Sequence, residues 1–306
     1  MPNEIHHSEG LEFPVNNPLA TLTDQFLKER TYFKNVTPAT LVWYQVAFKN
    51  YQASFPNDTA PVPTKAALHD FVIAQRTRGI RPVTVNTYIG AMNAFCVWLH
   101  AEGHVIDCIK LPKLRVERRM LTLLDDAQMR ALIGYKPTSL GQRRVHLAAL
   151  LALDTGLRVS ELLHLRHADV NFDNLILKVF GKGQKERFVP FSPELRKRLY
   201  RFEQFKEKKG VRNQFMFAGF GGTRWEKRNS STALYLMESK LGLPMFGWHR
   251  LRHTFATNYL RQGGDIVRLS MVLGHTQITT TQRYLHLLTE DLSASHQKVS
   301  ILNRLG

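Results

Sequence analysis

The sequence predicts a mainly α protein in two bodies, an all-α N-terminal domain and a mostly helical α+β domain with a small β-hairpin. Three observations predict it. Apolar residues recur at three- and four-residue steps between Leu19 and Gly103. One island of strand-forming residues, NLILKVFGKGQKERFVPFS, interrupts an otherwise helical pattern after Leu121. A basic stretch containing a proline, KLPKLRVERRML, lies between the two patterns. At 306 residues the chain is long enough for two ordinary domains, each able to bury a core.

Residues 1–18 read as a flexible leader, and the first domain as 19–106. Thr37-Pro38 has the form of an N-cap followed by proline at the first helical position. The helix it opens carries Leu41, Tyr44, Val46, Phe48, Tyr51 and Phe55, a loose amphipathic stripe that stops before Pro56-Asn57-Asp58. A second helix covers Lys65 to Arg78 and closes at Gly79. Arg81-Pro82 opens a third, in which Val85, Tyr88, Ile89, Met92, Phe95, Trp98 and Leu99 share a face and Gly103 supplies the cap. Such stripes are core, not platforms for stacking bases. The linker spans 107–120 and the second domain 121–306. There Thr122 is the expected N-cap of a helix with Asp125 and Asp126 in its first turn. RRVHLAALLALDTG reads as a buried helix ending at Gly156, and two short strands flank a Gly-Lys-Gly turn. Helices resume beyond Ser192.

Charge narrows the function. Lys and Arg number 42 against 25 Asp and Glu, a net +17, and the expected partner of so cationic a folded protein is nucleic acid. The linker concentrates Lys110, Lys113, Arg115, Arg118 and Arg119 against one acid, Glu117. Pro112 argues against a continuous helix there, and a cationic extended connector suits contact with DNA phosphates. Cys96 and Cys108 form no metal-ligand spacing and read as buried free thiols of a cytoplasmic protein, with a structural disulfide the weaker option. The apolar run VHLAALLAL is too short to span a bilayer, and MPNEIHHSEG has no signal-peptide pattern.

Candidate chemistry sits in the second domain. Arg158, in TGLRVSELL, follows a glycine turn, and Glu161 three residues on shares its face and can orient the guanidinium. Taken alone, that pair reads as a surface salt bridge. His249 and Arg252 in WHRLRHTFA also share a helical face, with adjacent His253 about a hundred degrees round the helix and facing away. His275 in LGHTQ and Tyr284 in TTTQRYLH are nine residues apart, with Gly274 ending one helix and Thr279, Thr280 and Thr281 starting the next. Lys182 and Lys185 both lie in the hairpin turn. Brought together, these cations and one phenol suit attack on a phosphodiester: the cations hold the non-bridging oxygens, and the tyrosine oxygen is the nucleophile. An ordinary phenol titrates near ~10, so a tyrosine nucleophile depends on nearby cations and an imidazole to accept its proton; His249 can either hydrogen-bond a non-bridging oxygen or help to take that proton. No Asp/Glu cluster suitable for a metal accompanies the set.

The boxes TGLRVSELLHLRHADV, FGKGQKERFVPF, WHRLRHTFATNYLRQGGD and LGHTQITTTQRYLH resemble those of the tyrosine recombinase (phage integrase) family, most closely Xer-like and transposon-borne members. The resemblance runs from about Leu19 to His286 and matches at Arg158, Lys182, His249, Arg252, His275 and Tyr284. It implies that the first domain is a core-binding DNA-binding domain and the second the catalytic domain. It also implies site-specific recombination of double-stranded DNA through a 3′-phosphotyrosine and a Holliday junction, with no metal, cofactor or ATP. Lys182, in preference to Lys185, becomes the acid for the departing 5′ oxygen. Four protomers act on two sites, with a second recombinase or accessory factor as an open option. The tail LLTEDLSASHQKVSILNRLG, with Leu292, Val299, Ile301 and Leu302, is available to dock on a neighbour. The score of residues ahead of the first domain is too short for a separate arm-binding domain. Two other readings are a non-catalytic DNA-binding regulator and a type IB topoisomerase. The intact phenol opposes the first; the separate helical domain and the docking tail oppose the second.

Overall fold

Helix starts in the first unit follow the threonine and proline signals closely. The computed structural model describes residues 18–56, 60, 62–117, 122–181, 186–211, 213–275, 277–282 and 284–285. It divides into two compact units, Met1–Arg119 and Met120–Gly306. The first holds helices α1 (Pro18–Tyr32), α2 (Pro38–Ser54), α3 (Lys65–Thr77) and α4 (Pro82–Ala101). The Thr37 and Thr64 hydroxyls accept from Thr40 N and Ala67 N, satisfying backbone donors that the first turns of α2 and α3 leave open. Gly79 and Gly103 take left-handed conformations just beyond α3 and α4.

Aromatic residues fill this unit's core. The Phe26 ring meets Tyr44, Phe95 and Trp98 edge-on at centroid distances of 4.8, 5.4 and 5.6 Å. Trp98 Nε1 donates to the Glu29 carboxylate. Of the expected α4 stripe, Val85, Ile89, Met92, Phe95, Trp98 and Leu99 are buried and Tyr88 is half-buried. Two expectations fail. Val46 is exposed, and Ala47 takes the inward place beside Phe48, because the buried line of α2 runs through Tyr44, Ala47, Phe48 and Tyr51. Cys96 is buried but Cys108, in the connector beyond α4, is exposed. Burial first, and Cys108 second, pushes the Cys96 thiol up to about 12.

The basic connector is non-helical over its described length, with Pro112 inside it, and is pinned along α4. Asn93 receives Leu111 N and donates to Leu111 O, both at 2.9 Å. Asn86 does the same for Leu114, at 2.7 and 2.9 Å. Seven helical residues advance about 10.5 Å, and three extended residues reach about 10 Å, so the two amides match the two peptide groups. Leu111 and Leu114 pack on the core while Lys110, Lys113 and Arg115 are exposed. Arg118 and Arg119 lie outside the described residues. Asn93→Ala removes both bonds to Leu111 and is expected to lower this unit's stability by roughly 1–3 kcal/mol. Urea denaturation of the full chain measures it; an unchanged midpoint means that Asn93 does not hold the connector.

The second unit begins with α5 (Asp126–Gly134). Asp125, not Thr122, caps it: its carboxylate accepts from Gln128 N while the Gln128 side chain accepts from Asp125 N. That reciprocal pairing satisfies two donors at once, which Thr122 is too far upstream to do. Next comes α6 (Leu140–Thr155), apolar on nearly every side and packed by α8 (Pro193–Lys208), α9 (Lys227–Lys240) and α10 (Gly247–Arg261). Between them lie α7 (Val159–His164) and an antiparallel sheet ordered β1 (Val170–Asn171), β2 (Ile176–Phe180), β3 (Glu186–Pro190). The register pairs Leu177 with Val189 and Val179 with Arg187, which sets these four on one face. The two strands flanking the turn match expectation; the short β1 carries no pattern long enough to read in sequence. Helices α11 (Ile266–Leu273) and α12 (Thr279–Gln282) complete the described unit. Among the described residues no helix is long and apolar enough to cross a membrane.

Candidate active site

Three helix ends meet beneath β3. Helix α6 stops at Gly156, in the left-handed conformation, and α7 begins two residues later with Arg158 at its N-cap. Helix α11 stops at left-handed Gly274. Both glycines are required by space as well as by φ. A Cβ on Gly156 falls 2.3 Å from the Phe255 ring, and one on Gly274 falls 2.9 Å from an Arg187 guanidinium nitrogen.

Guanidinium groups converge on the carbonyls that these ends expose. Arg158 donates to Leu273 O and Gly274 O, each at 3.1 Å. Arg252, on α10 and only 4% exposed, donates to Gly156 O at 2.7 Å and Leu273 O at 2.8 Å. Arg187 Nε donates to Val272 O at 2.8 Å. Glu161, buried in the first turn of α7, is their shared counter-ion. It accepts from Arg158 N and Nη1 at 2.8 and 2.9 Å and from both Arg187 terminal nitrogens at 2.8 and 2.7 Å. Burial alone would push the Glu161 carboxyl up; the Arg187 hydrogen bonds and charge, then those of Arg158, outweigh it and hold the group below 4.5. Burial, reinforced by Arg158, brings the Arg252 guanidinium down to about 10 against the opposing pull of Glu161 and Tyr284, so it is still a cation at neutral pH.

His275 and Tyr284 close the site. Arg252 Nη2 approaches His275 Nε2 at 3.0 Å, and His275 Nδ1 lies 2.8 Å from Thr281 Oγ1. A guanidinium can only donate, so Nε2 accepts and the imidazole carries its proton on Nδ1, shared with Thr281. Tyr284 is fully buried among Ala256, Leu260, Leu269 and Leu273, its backbone N donating to Thr281 O at 3.0 Å. Its hydroxyl lies 2.9 Å from His253 Nδ1.

The structure therefore gathers Arg158, Glu161, Arg252, His275 and Tyr284 in one place. His249 sits exposed in the first turn of α10. Lys182 and Lys185 lie outside the described residues. Sequence reasoning missed two neighbours. His253 does lie around the helix from the His249–Arg252 face, but Tyr284 approaches from a separate segment and meets it there. Arg187 was legible only through strand parity: it shares the inward face with Val189, where a charge demands a partner. Among the described residues no group of three His, Cys, Asp or Glu side chains could hold a metal.

This helical domain with its three-stranded antiparallel sheet has the tyrosine recombinase catalytic fold. The phage integrase family matches over residues 122–291, and the chain belongs to that family. It is an enzyme that cuts and rejoins DNA in site-specific recombination. The tyrosine recombinase XerC of Staphylococcus saprophyticus is 34% identical over 184 residues, 60% of this chain and 60% of that protein. XerC of Staphylococcus haemolyticus is 31% identical, over 71% of this chain and 74% of that protein. Among solved structures, the Tn1549 transposon integrase in complex with circular intermediate DNA is similar in fold, with a TM-score of 0.73 at 20% identity, over 87% of this chain and 94% of that one.

Because the folded Glu161 pKa is depressed, its ionised form contributes stability that is complete above about 4.5 and is lost as pH falls through the lower folded value. Wild type is expected to exceed Glu161→Gln in stability at neutral pH, with the gap closing at acid pH. Denaturant melts of both proteins over that range measure the gap; a constant gap means the pairing with Arg187 and Arg158 does not depend on the carboxylate charge.

Proposed function

We propose that Tyr284 is the nucleophile of this recombinase, that Arg158 and Arg252 clamp the scissile phosphate, and that His275 orients Arg252. The observation that carries this reading is the charge around one buried phenol. Arg158, Arg187 and Arg252 against Glu161 leave an excess of two positive charges, matching the two negative charges of a phosphorane-like transition state. Arg158 and Arg252 each spend three of five N–H groups on described protein atoms, so each retains donors for a phosphate oxygen. The side chains themselves thus supply the positive charge that a metal supplies in other phosphoryl-transfer sites.

In this scheme the Tyr284 oxygen attacks phosphorus, a 3′-phosphotyrosine forms and the 5′ oxygen departs. Lys182, between β2 and β3 in the sequence, protonates that oxygen, with Lys185 the competing donor, and His249 hydrogen-bonds a non-bridging oxygen. The partner duplex's 5′ hydroxyl then attacks the phosphotyrosine through a Holliday junction, so the bond energy is conserved without ATP. Residues 19–106 act as the core-binding domain, and Lys110, Lys113 and Arg115, joined by Arg118 and Arg119, meet phosphates along the connector. Four protomers assemble on two sites in the cytoplasm, with the tail carrying Leu292, Val299, Ile301 and Leu302, outside the described residues, docking on a neighbour.

A nicked suicide duplex, built on the site recovered by binding selection from a random-sequence library, tests the reading. Tyr284→Phe is expected to bind this duplex as wild type does yet give no covalent band on a denaturing gel, and wild type is expected to keep its band in excess EDTA. A band in the Phe variant moves the nucleophile elsewhere, and loss in EDTA restored by magnesium ends the metal-free scheme. Arg252→Lys is expected to cut on the order of 10²-fold more slowly, because an ammonium cannot serve Gly156 O, Leu273 O, His275 and a phosphate together. A near-wild-type cleavage rate for the lysine variant means that Arg252 does not clamp the phosphate.

A further inference from the structure

We infer that His253 is a catalytic residue, the base that takes the phenolic proton of Tyr284 as its oxygen attacks the phosphate. The inference rests on Tyr284 being the nucleophile. Its foundation is contact: His253 Nδ1 lies 2.9 Å from the Tyr284 hydroxyl, and the two rings sit 5.6 Å apart at 53°. That is hydrogen-bond reach, the first requirement of a general base. His275, the imidazole that meets Arg252 Nη2, has both nitrogens engaged, Nε2 with Arg252 and Nδ1 with Thr281. To accept a proton on Nε2 it must give up Arg252, and Nδ1 already carries one. Helix α10 therefore divides the labour between neighbours: Arg252 turns toward the carbonyls of Gly156 and Leu273, and His253 turns toward the phenol.

The step balances without a co-reactant. The Tyr284 oxygen–phosphorus bond forms as the phosphorus–5′-oxygen bond breaks. The phenolic proton passes to His253 Nδ1, and the departing oxygen takes a different proton, from the Lys182 of the proposed scheme. Strand rejoining reverses the transfer, and His253 returns the proton to the phenol. The new imidazolium adds one positive charge beside the phosphate just as the phosphate gains one negative charge, so the site's net charge does not change.

The charged groups around the pair come from several elements: Arg158 and Glu161 from α7, Arg187 from β3, His249 and Arg252 from α10 itself, and His275 beyond α11. Helix α12 carries no ionisable side chain. Of the acids on α6 and α9, which pack on α10, Asp154 accepts from Ser192 N and Glu238 from Gly247 N.

The test uses the full chain and the nicked suicide duplex, with single-turnover covalent capture followed across pH. His253→Asn keeps a polar atom near the Nδ1 position but cannot take a proton. It is expected to bind the duplex as wild type does, to capture DNA about 10²-fold more slowly, and to lose the acidic limb of the wild-type pH–rate profile. His253→Gln, with thermal melts of both variants, guards against a folding defect. Capture at the wild-type rate with the acidic limb intact reduces His253 to packing, and faster capture makes it a restraint on Tyr284; either overturns the proposal. A wild-type profile with no acidic limb overturns it without any variant. Peptide mapping of the wild-type adduct separates the two readings. An adduct on another residue removes the nucleophile assignment itself, whereas an adduct on Tyr284 with an unaffected Asn variant removes only the base.

Discussion

Everything in the site hangs on the C-terminal carbonyls of α11. The last carbonyls of a helix have no partner within it and carry the negative end of its dipole. Here Val272, Leu273 and Gly274 present theirs to Arg187, to Arg158 and Arg252 together, and to Arg158 again. Three guanidinium groups this close repel one another. The carbonyl dipoles and the Glu161 carboxylate hold them together. Removing one partner of so buried a charge pair typically costs about 3–5 kcal/mol, so the arginine cluster and the local fold share the same bonds.

Tyr284 is tied to the same helices. Tyr284 fills a small apolar cluster with Leu260 of α10 and Leu269 and Leu273 of α11, and Thr281 three positions earlier in the chain receives His275. A shift of α11 thus reaches the three guanidinium groups through its carbonyls and the phenol through its leucines. The glycines make this economy of space feasible. Gly156 lets Phe255 and Leu273 approach the end of α6, and Gly274 admits the Arg187 guanidinium. A side chain at either position forces apart the groups that must converge.

The first unit divides its resources differently. Its aromatic residues fill the Phe26-centred core, and the described cations of the connector are exposed. Asn86 and Asn93 satisfy the connector's peptide groups in pairs, so an extended segment lies on a helix without a neighbouring strand. The side chains alternate accordingly, Leu111 and Leu114 toward the core and Lys110, Lys113 and Arg115 toward solvent.

Much of this was legible in the chain alone. Thr37-Pro38, Arg81-Pro82 and the glycines after α3, α4, α6 and α11 act through local sterics and capping, which a few adjacent residues decide. The pairing of Arg158 with Glu161 is equally local, a spacing of three on one turn. The limits of local reading show at Asp125, whose reciprocal bond with Gln128 displaced Thr122, and at Val46, whose neighbour Ala47 won the inward place. Arg187 and His253 belong to another category. Their partners, Glu161 and Tyr284, are 26 and 31 residues away and reach them only when β3, α7, α10 and the turn after α12 are packed. Helical spacing correctly put His253 on a different face from Arg252, but no spacing rule says what will arrive at that face. Periodicity and capping determined the elements; tertiary packing alone decided which cations share a carboxylate and which imidazole meets the phenol, because those contacts join surfaces that no short stretch of sequence contains.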